Sequence, residues 1–503
     1  MRYCFANIRP LRKFSLALFL LLVSIFLWFF FTYKITEVPP GINGDESPIG
    51  FNAILLSRTL HDENNRFLPL FVLTQNGVDW KQPVTMYATT IAFRLFGPSY
   101  EMLKGVSVLI VIISAILLFI FLKEAFDLKA ALTGLIIFVT TPAIMIQSHL
   151  ALENIAPLPF IFLWLLMLFK YEKTRCLKFI FLAGIMLGMS IYAYQAMRII
   201  APVFAVISMI YIFSFYLRKR KEGLRACLFF TLGMLPFFLL LLWVKKEYPG
   251  ALSAYNQPFK IMSYQEFLLP YLSSFDFSFL FIKGDSTLYH STSKHGIYLL
   301  ATLPLFLIGC YQTIKSKRPL LIVILAAFAF APLLFGLVGS IHRGSRLLAM
   351  LPSYIIIATI GFRSLLHLKI KRIKYLIITA VIISVSINYY DFINDYWFSY
   401  PDRARLVFPS TAHIAFKNLY EQSVPFNKTP VVRRDIYNRE RMGSEFFEHL
   451  YFPGLLKKWE IGETLDDNSV VLIHSVDVPT LERIGYEKID IEMPNYSLVS
   501  KIK

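Results

Sequence analysis

The chain has 503 residues, of which 56% are hydrophobic and only 17% are charged, and its mean hydropathy is +0.56. A soluble globular domain carries about 25% charged residues, so this composition excludes an ordinary water-soluble protein. The formal net charge is +18, and its distribution along the chain indicates membrane topology, with no need for a nucleic-acid partner.

Apolar runs of about 20 residues recur along the chain, and each is long enough to cross the hydrocarbon core as a helix. The first run follows a basic N-terminus, but it is longer than the apolar part of a signal peptide and no A-x-A-like cleavage site follows it. We therefore predict that it is retained. Eleven spans are predicted, at 14–31, 101–122, 130–147, 155–169, 179–195, 199–217, 226–244, 296–312, 320–338, 347–366 and 375–390.

The orientation follows from the basic residues. With the N-terminus inside, six short segments face the cytoplasm, and together they hold 22 Lys and Arg residues against four acidic ones, a net charge of +18. The rest of the chain is therefore neutral, and the excess of Lys and Arg in the cytoplasmic segments is what the positive-inside rule requires. We predict a multi-pass protein of the plasma or inner membrane with a cytoplasmic N-terminus.

The remaining segments form outer loops and a tail. We predict a membrane domain over 1–390, with long outer loops at 34–100 and 245–295, and an extracytoplasmic α/β domain over 391–503. Long ordered loops usually carry function, so the chemistry is expected on this side. In the tail, alternating patterns predict strands at Pro430–Val432, Val470–His474 and Tyr496–Lys501 and helices at 410–422 and 478–484.

The first outer loop contains an acidic pair, Asp45 and Glu46, directly before a Ser-Pro helix start. The segments that run to about residue 61 and over 84–96 are moderately apolar, so we predict helices lying at the membrane interface. Carboxylates there suit a general base, but they would equally complement a helix dipole. Judged by residue type alone, Lys81 is better explained as an interfacial anchor than as a phosphate ligand.

Several motifs carry a resemblance to a known family. In chain order they are D-E-x-P-x-G-x-N-A from residue 45, R-T-L-H-D-E-N-N-R-F-L-P-L-F, W-K-Q-P-V-T-M-Y, L-F-G, Y-A-Y-Q-A-M-R (192–198), G-D-S-T-L-Y-H-S-T-S-K-H-G (284–296) and I-H-R-G-S-R-L-L-A-M-L-P (341–352). They resemble bacterial family 39 glycosyltransferases, relatives of protein O-mannosyltransferases and of the lipid A aminoarabinose transferase. The resemblance implies a helical polytopic membrane protein of the GT-C type.

The resemblance also implies an activity: transfer of a sugar from a polyprenyl-phosphate carrier to an acceptor at the outer membrane face. Asp45 matches the family's catalytic base, with Glu46 beside it, and Lys81 matches the lysine of the family's K-P-P motif near the carrier phosphate. Gln82 stands where the family has its first Pro, which puts the geometry of Lys81 in question. The sequence has no P-loop, Rossmann fingerprint or D-x-D motif for a nucleotide.

A polyprenyl-phosphate sugar needs a base for the acceptor and cations for the departing phosphate. The outward-facing residues that we predict to bind this phosphate are Lys81, Arg198, Arg343 and Arg346. For Arg198 the alternative is an arginine that snorkels to lipid headgroups, and the same anchoring would explain one of the pair at 343 and 346.

Six further residues are candidates for contact with the substrate: His149, Glu153, Asp285, His290, His295 and His342. His149 and Glu153 lie four apart and fit either a metal ion or a sugar. The loop residues Asp285, His290 and His295 either bind substrate or order the loop. No Cys/His spacing of a metal site occurs, so a divalent metal is compatible with the sequence but not required.

The alternative from another class is a transporter or flippase of lipid-linked sugars. Such a protein places ionisable residues inside its spans near the membrane midplane. The predicted spans are nearly free of charge and the ionisable groups gather in the outer loops, which favours the transferase. The sequence does not identify the sugar that is transferred. The acceptor is a lipid, a glycan or a protein, and transfer of a whole oligosaccharide is a further alternative.

Overall fold

The structure is a computed structural model of a mostly helical chain. It describes residues 10–75, 77–216, 219–252, 263–339, 341–405, 407–408, 411–439, 441–491, 493 and 495–501. The helices that precede the tail are α1 (Pro10–Thr32), α2 (Glu46–Thr59), α3 (Pro83–Phe96), α4 (Tyr100–Ala125), α5 (Leu128–Val139), α6 (Pro142–Ser148), α7 (Leu158–Thr174), α8 (Leu177–Ser190), α9 (Met197–Ser214), α10 (Arg220–Glu247), α11 (Tyr264–Ser273), α12 (Phe277–Phe281), α13 (Leu303–Ser316), α14 (Pro319–Phe330), α15 (Leu333–Val338), α16 (Leu351–Leu366) and α17 (Lys371–Asn394).

Short elements connect these helices. Strands β1 (Val72–Thr74) and β2 (Asp79–Lys81) form an antiparallel hairpin between α2 and α3. Turns of 3-10 helix lie at Glu153–Ile155, Leu300–Thr302 and Gly344–Met350. The first and the last of these turns, together with the hairpin, border the candidate site.

Within the described residues, eight helices are long and apolar enough to cross a membrane, or nine when the bent pair α5 and α6 counts as one span. The two members of that pair meet at 61°, because Pro142 begins α6 and cannot continue the hydrogen bonding of α5. This count is lower than the eleven spans predicted from hydropathy, although a helix occurs in every predicted segment.

Two predicted spans contain helices of only 14 residues, α8 and α13. In the segment 296–312, Pro304 lies in the first turn of α13, so the apolar residues before it form a loop and a 3-10 turn. In the segment 179–195, α8 ends at Ser190 and the chain then turns toward α9. Hydropathy alone did not separate these apolar loops from helix.

The centre of the bundle is formed by helices that are enclosed by protein. In Gly344–Leu366, which includes α16, 89% of the most apolar stretch is buried. Helices α13 and α16 cross closely at two glycines. A Cβ atom at Gly361 would lie 1.8 Å from the carbonyl oxygen of Leu305, and one at Gly309 would lie 1.9 Å from that of Ile357. Small residues allow such a close approach of two helix backbones in a membrane bundle.

The tail follows α17 through a π-helical turn at Asp395–Ser399. Its elements are α18 (Tyr400–Ala404), α19 (Thr411–Ser423), a 3-10 turn (Val424–Phe426), β3 (Thr429–Arg433), α20 (Arg434–Arg439), α21 (Arg441–Tyr451), β4 (Lys457–Trp459), β5 (Ser469–His474), a 3-10 turn (Ser475–Asp477), α22 (Val478–Glu482), β6 (Tyr486–Ile489) and β7 (Tyr496–Lys501).

The tail contains a five-stranded sheet in the order β4-β3-β5-β7-β6. Strand β3 is parallel to β4 and β5, and β7 is antiparallel to β5 and β6. The three predicted strands coincide with β3, β5 and β7, and the predicted helices with α19 and α22. The edge strands β4 and β6 were missed because they are short and mostly solvent-exposed, so they lack a clear apolar alternation.

The tail packs directly on the first outer loop. Gly50 of α2 lies against Phe446 of α21, where a Cβ atom would come within 2.7 Å of the Phe446 ring. The two helices predicted in this loop exist as α2 and α3. Helix α2 is enclosed by α3, α4 and α21, and its buried residues share one apolar cluster with the tail. The tail therefore helps to fix the position of α2.

Candidate active site

The hairpin of β1 and β2 places Lys81 at the edge of the site. Lys81 ends β2, and Gln82 then serves as the N-cap of α3, with Pro83 in the first turn of that helix. Proline is favoured at this position because its missing N–H would have no partner inside the helix. The change from strand to helix thus fixes the chain on both sides of Lys81, and its side chain is only 6% exposed.

Two carboxylates hold the Lys81 ammonium. Its Nζ lies 2.6 Å from Asp79 Oδ2 and 3.5 Å from Asp45 Oδ1. Burial alone would lower the pKa of Lys81, but the charges of Asp45, Asp79 and Glu153 outweigh it and raise this pKa above its ordinary value. Lys81 therefore stays charged and orients the two aspartates around it.

Asp45 lies directly before α2 with its carboxylate 64% exposed. It does not cap the helix with its side chain. Instead, Asn43 Oδ1 accepts hydrogen bonds from the N–H groups of Asp45 and Glu46, at 2.6 and 3.1 Å. Asp45 Oδ1 also lies 3.4 Å from Gln75 Nε2. Because Asn43 provides the capping contact, the Asp45 carboxylate remains open to solvent and substrate.

Glu46 is fully buried, unlike its neighbour. Its Oε2 accepts from the N–H of Asn43 at 2.9 Å, which completes a reciprocal pair of the capping-box kind. Its Oε1 accepts from the N–H of Ala151 at 2.7 Å. Glu46 thus ties the start of α2 to the turn after α6. This geometry gives Glu46 a positioning role and keeps its carboxylate away from the exposed face where Asp45 lies.

A second connection joins the same turn to the hairpin. Glu153 Oε1 accepts a hydrogen bond from the backbone N–H of Gln82. The side chain of Gln82 in turn accepts from Arg198 Nη2 at 2.8 Å, and Arg198 Nη1 donates to the carbonyl of Ala251 at 2.7 Å. Proline at position 82 would have no N–H to offer Glu153. The departure from the family motif therefore lies at a junction of this network.

Tyr194, in the turn between α8 and α9, marks where the walls of the site meet. It is buried and interacts electrostatically with Asp45, Glu153, Asp285 and Arg346. These four charged groups come from four separate parts of the chain. The phenol of Tyr194 can donate and accept a hydrogen bond within electrostatic range of all four.

The opposite wall is formed by the loop that begins at Gly284 and by the 3-10 turn Gly344–Met350. Asp285 is buried, with Oδ1 accepting from Thr287 and Oδ2 accepting from the N–H of Ser345 at 3.4 Å. This carboxylate joins the two segments and so helps to position the arginines at 343 and 346.

His290 faces the same region. Burial lowers its pKa, although the charges of Asp285 and Asp45 oppose this shift and the charge of Arg343 adds to it. Its Nδ1 lies 3.1 Å from the side-chain amide of Gln147, which holds the ring in place. Burial thus favours the neutral form of His290.

Three of the histidines that were predicted to contact the substrate contact other protein groups in the structure. Both ring nitrogens of buried His149 lie against backbone carbonyls, those of Val38 and Phe31, at 2.7 and 2.9 Å. Both nitrogens are taken by these carbonyls, so the structure does not bring His149 and Glu153 together on a metal ion or a sugar. His295 lies 3.1 Å from Asp391 on α17, and it therefore orders its loop.

His342 precedes the two arginines and stacks on Phe279, with ring centroids 5.0 Å apart. Its carbonyl accepts from the N–H of Ser286 at 2.9 Å, and its φ of +50° lies in the left-handed region. Its buried Nε2 has no hydrogen-bond partner in the described part of the chain. In that part, no group of three or more His, Cys, Asp or Glu side chains is arranged to hold a metal ion.

Comparisons with known proteins agree with this architecture. Residues 81–243 match the family model described as dolichyl-phosphate-mannose-protein mannosyltransferase. The crystal structure of ArnT from Cupriavidus metallidurans in the apo state superposes with a TM-score of 0.58 at 11% identity, over 97% of this chain and 98% of ArnT. The structure of the same ArnT bound to undecaprenyl phosphate gives 0.55 at 10% identity, over 96% and 98%.

A third solved structure, the oligosaccharyltransferase of Archaeoglobus fulgidus, matches with a TM-score of 0.51 at 12% identity, over 96% of this chain and 74% of that one. No curated protein matches the sequence. The similarity to the solved structures confirms the predicted fold class, a helical polytopic membrane protein of the GT-C type with a small α/β tail.

Proposed function

We propose that the chain is a membrane glycosyltransferase that moves a sugar from a polyprenyl-phosphate donor to an acceptor at the extracytoplasmic face. The observation that carries this proposal is the exposed carboxylate of Asp45, held 3.5 Å from the buried ammonium of Lys81 in a site walled by arginines. The likeness to an ArnT solved with undecaprenyl phosphate supports a polyprenyl-phosphate donor.

Asp45 acts as the general base in this proposal. Its carboxylate takes the proton of an acceptor hydroxyl or amine while that atom attacks the anomeric carbon. The bond from this carbon to the phosphate oxygen breaks in the same step, and the phosphate leaves with the electron pair. A single displacement of this kind inverts the anomeric centre. Lys81 holds the carboxylate in place.

The departing phosphate requires cations that are able to turn toward it. Lys81 is held by two carboxylates, and two N–H groups of Arg198 donate to Gln82 and Ala251. We assign these two residues to the network that orders the first loop, rather than to the phosphate. Arg343 and Arg346, on the turn opposite, are the phosphate ligands in this scheme. Arg343 makes no salt bridge with any residue that the structure describes.

The extracytoplasmic location rests on the charge distribution. Most of the elements that build the site belong to segments placed outside by the positive-inside rule. These are the first loop, the turn after α6, the loop from Gly284 and the start of the turn at Gly344–Met350. A lipid-linked donor diffuses to such a site within the membrane, with its phosphate at headgroup level.

The direct test compares wild type with Asp45→Asn in membranes supplied with radiolabelled polyprenyl-phosphate sugars. The matched control is Asp402→Asn, which makes the same change at an exposed carboxylate paired with Arg405. Loss of a general base lowers rates about 10²- to 10⁴-fold, so Asp45→Asn is expected to lose transfer while the control keeps it. The labelled lipid, glycan or protein fraction identifies the acceptor.

Two outcomes contradict the proposal. Wild-type rates in correctly inserted Asp45→Asn protein remove Asp45 from the mechanism. No transfer by the wild type with any donor, combined with movement of donor across the bilayer, favours the flippase.

A further inference from the structure

One buried lysine takes no part in the mechanism proposed above. Lys104, in the second turn of α4, is fully buried, and its Nζ has no hydrogen-bond partner among the described residues. The ring of Tyr100, with its centroid 4.8 Å away, is a weak partner for this charge. An unpaired ammonium inside a membrane helix is costly, and such groups generally serve a function.

Hydrogen bonds bring the start of α4 and Glu46 to the same turn of the chain. Ser107, one turn after Lys104, donates to the carbonyl of Leu150 at 2.6 Å, and the next residue, Ala151, donates to Glu46. The charges of Lys104 and Glu46 therefore interact. Both side chains are fully buried, so water screens their attraction little. The pKa of Glu46 lies above its ordinary value, because burial raises it more than the charge of Lys104 and the N–H groups of Asn43 and Ala151 lower it. Backbone N–H groups bond a carboxylate more strongly than a protonated carboxyl. The two contacts of Glu46 therefore depend on its charge, and its charge depends on Lys104.

The adjacent Asp45 disfavours the ionisation of Glu46. The phenols of Tyr100, Tyr396 and Tyr400 also interact with Glu46 electrostatically. Of the charged groups that act on Glu46, Lys104 has the largest effect.

The tail domain covers this pair. His413 of α19 packs on the ring of Tyr100 with centroids 4.5 Å apart, and Phe447 of α21 packs on both rings at 6.0 and 5.2 Å. These aromatic rings keep water from Tyr100 and Lys104. The tail therefore preserves the low-dielectric surroundings in which one charge controls the other.

We propose that Lys104 is a positioning residue that keeps Glu46 ionised, so that the start of α2 and its exposed Asp45 stay tied to the turn that carries Glu153. The inference rests on the proposed function, in which Asp45 is the base. Without the charge of Lys104, Glu46 takes up a proton and its oxygens hold the two N–H groups weakly. Asp45 then loses its alignment with the acceptor.

The test uses Lys104→Met in the full-length, reconstituted protein. Loss of the Lys104 charge raises the pKa of Glu46 further, so the carboxyl is protonated at low pH and ionises as pH rises. We expect turnover at least 10-fold below wild type at the acidic end, recovery toward wild type as pH rises, and an unchanged KM for the donor. In the wild type the corresponding rise of rate with pH lies at lower pH, and Lys104→Arg, which keeps the charge, restores the wild-type profile.

Infrared spectroscopy supplies a measurement that does not depend on activity. A protonated-carboxyl band is expected in Lys104→Met, and it is expected to disappear in the double variant Glu46→Gln, Lys104→Met. A wild-type pH profile together with the absence of this band overturns the inference. If Lys104→Met does not fold, the inference is decided by Lys104→Arg, whose failure to match wild type overturns it. The proposed function fails separately, through full activity of Asp45→Asn.

Discussion

The junction at Gln82 offers a sharp test of how the site is held together. Gln82→Pro removes the N–H that Glu153 accepts and the side chain that Arg198 contacts, whereas Gln82→Ala removes only the side chain. The backbone tolerates the change, because Gln82 has φ −81° and the preceding residue lies in a strand. If the proline variant loses more transfer rate than the alanine variant, the difference therefore measures the hydrogen bond from the Gln82 N–H to Glu153.

The expected magnitude applies above about pH 7, the pKa to which burial raises Glu153, where this hydrogen-bond acceptor is charged. A hydrogen bond to a charged group contributes about 1.5–3 kcal/mol, which corresponds to about 10- to 150-fold in rate if the bond aligns the site for the transition state. We expect Gln82→Pro to lose turnover by a factor in this range and Gln82→Ala to lose several-fold less. Initial rates of label transfer at saturating donor measure both. Equal rates for the two variants, or a proline variant as active as wild type, would refute the network.

Three further outcomes are expected. Arg343→Ala should lower the transfer rate about 10- to 150-fold by removing a charge-assisted contact to the phosphate. Inorganic phosphate should inhibit this variant less than it inhibits the wild type. Unchanged inhibition contradicts the assignment of Arg343 as a phosphate ligand. Gly361→Ala should lower thermal stability in detergent, because its Cβ would clash with the Leu305 carbonyl, while Gly443→Ala, whose Cβ has its nearest neighbour at 3.8 Å, should not. His295→Ala should loosen its loop, seen as faster proteolysis, yet keep turnover near wild type.

The sequence predicted the parts of this fold that depend on local pattern. Apolar runs located the helices, and the Ser-Pro start after Asp45 located α2 to within a residue. The lengths of α8 and α13 could not be read from hydropathy, since apolar loop residues that are buried against other helices look the same as helix residues. Pro304 was the one local signal for the start of α13.

The site was only partly predictable for the same reason. Asp45 and Lys81 were singled out through the family motifs as base and phosphate ligand, but their closeness, 3.5 Å, was not predicted. The partners of Glu46 and His149 could not be inferred, because backbone N–H and carbonyl groups leave no trace in a sequence. Lys104 was missed because a lysine near the end of an apolar run looks the same whether it snorkels or is buried.

Lys104 also bears on the flippase alternative, since a buried charge inside a span is what a transporter would have. Its place in the helix argues otherwise: Lys104 lies four residues from the start of α4, roughly 6 Å along the axis, and its partner Glu46 is in the outer loop. A transport site would lie near the midplane.

In proteoliposomes, a fluorescent polyprenyl-phosphate sugar is therefore expected to cross no faster with the protein than without it. Rapid crossing that is lost in Lys104→Met but kept in Asp45→Asn would instead assign Lys104 to a transport path. Transfer without crossing would leave Lys104 with the one role that its contacts support, the positioning of the loop that carries Asp45.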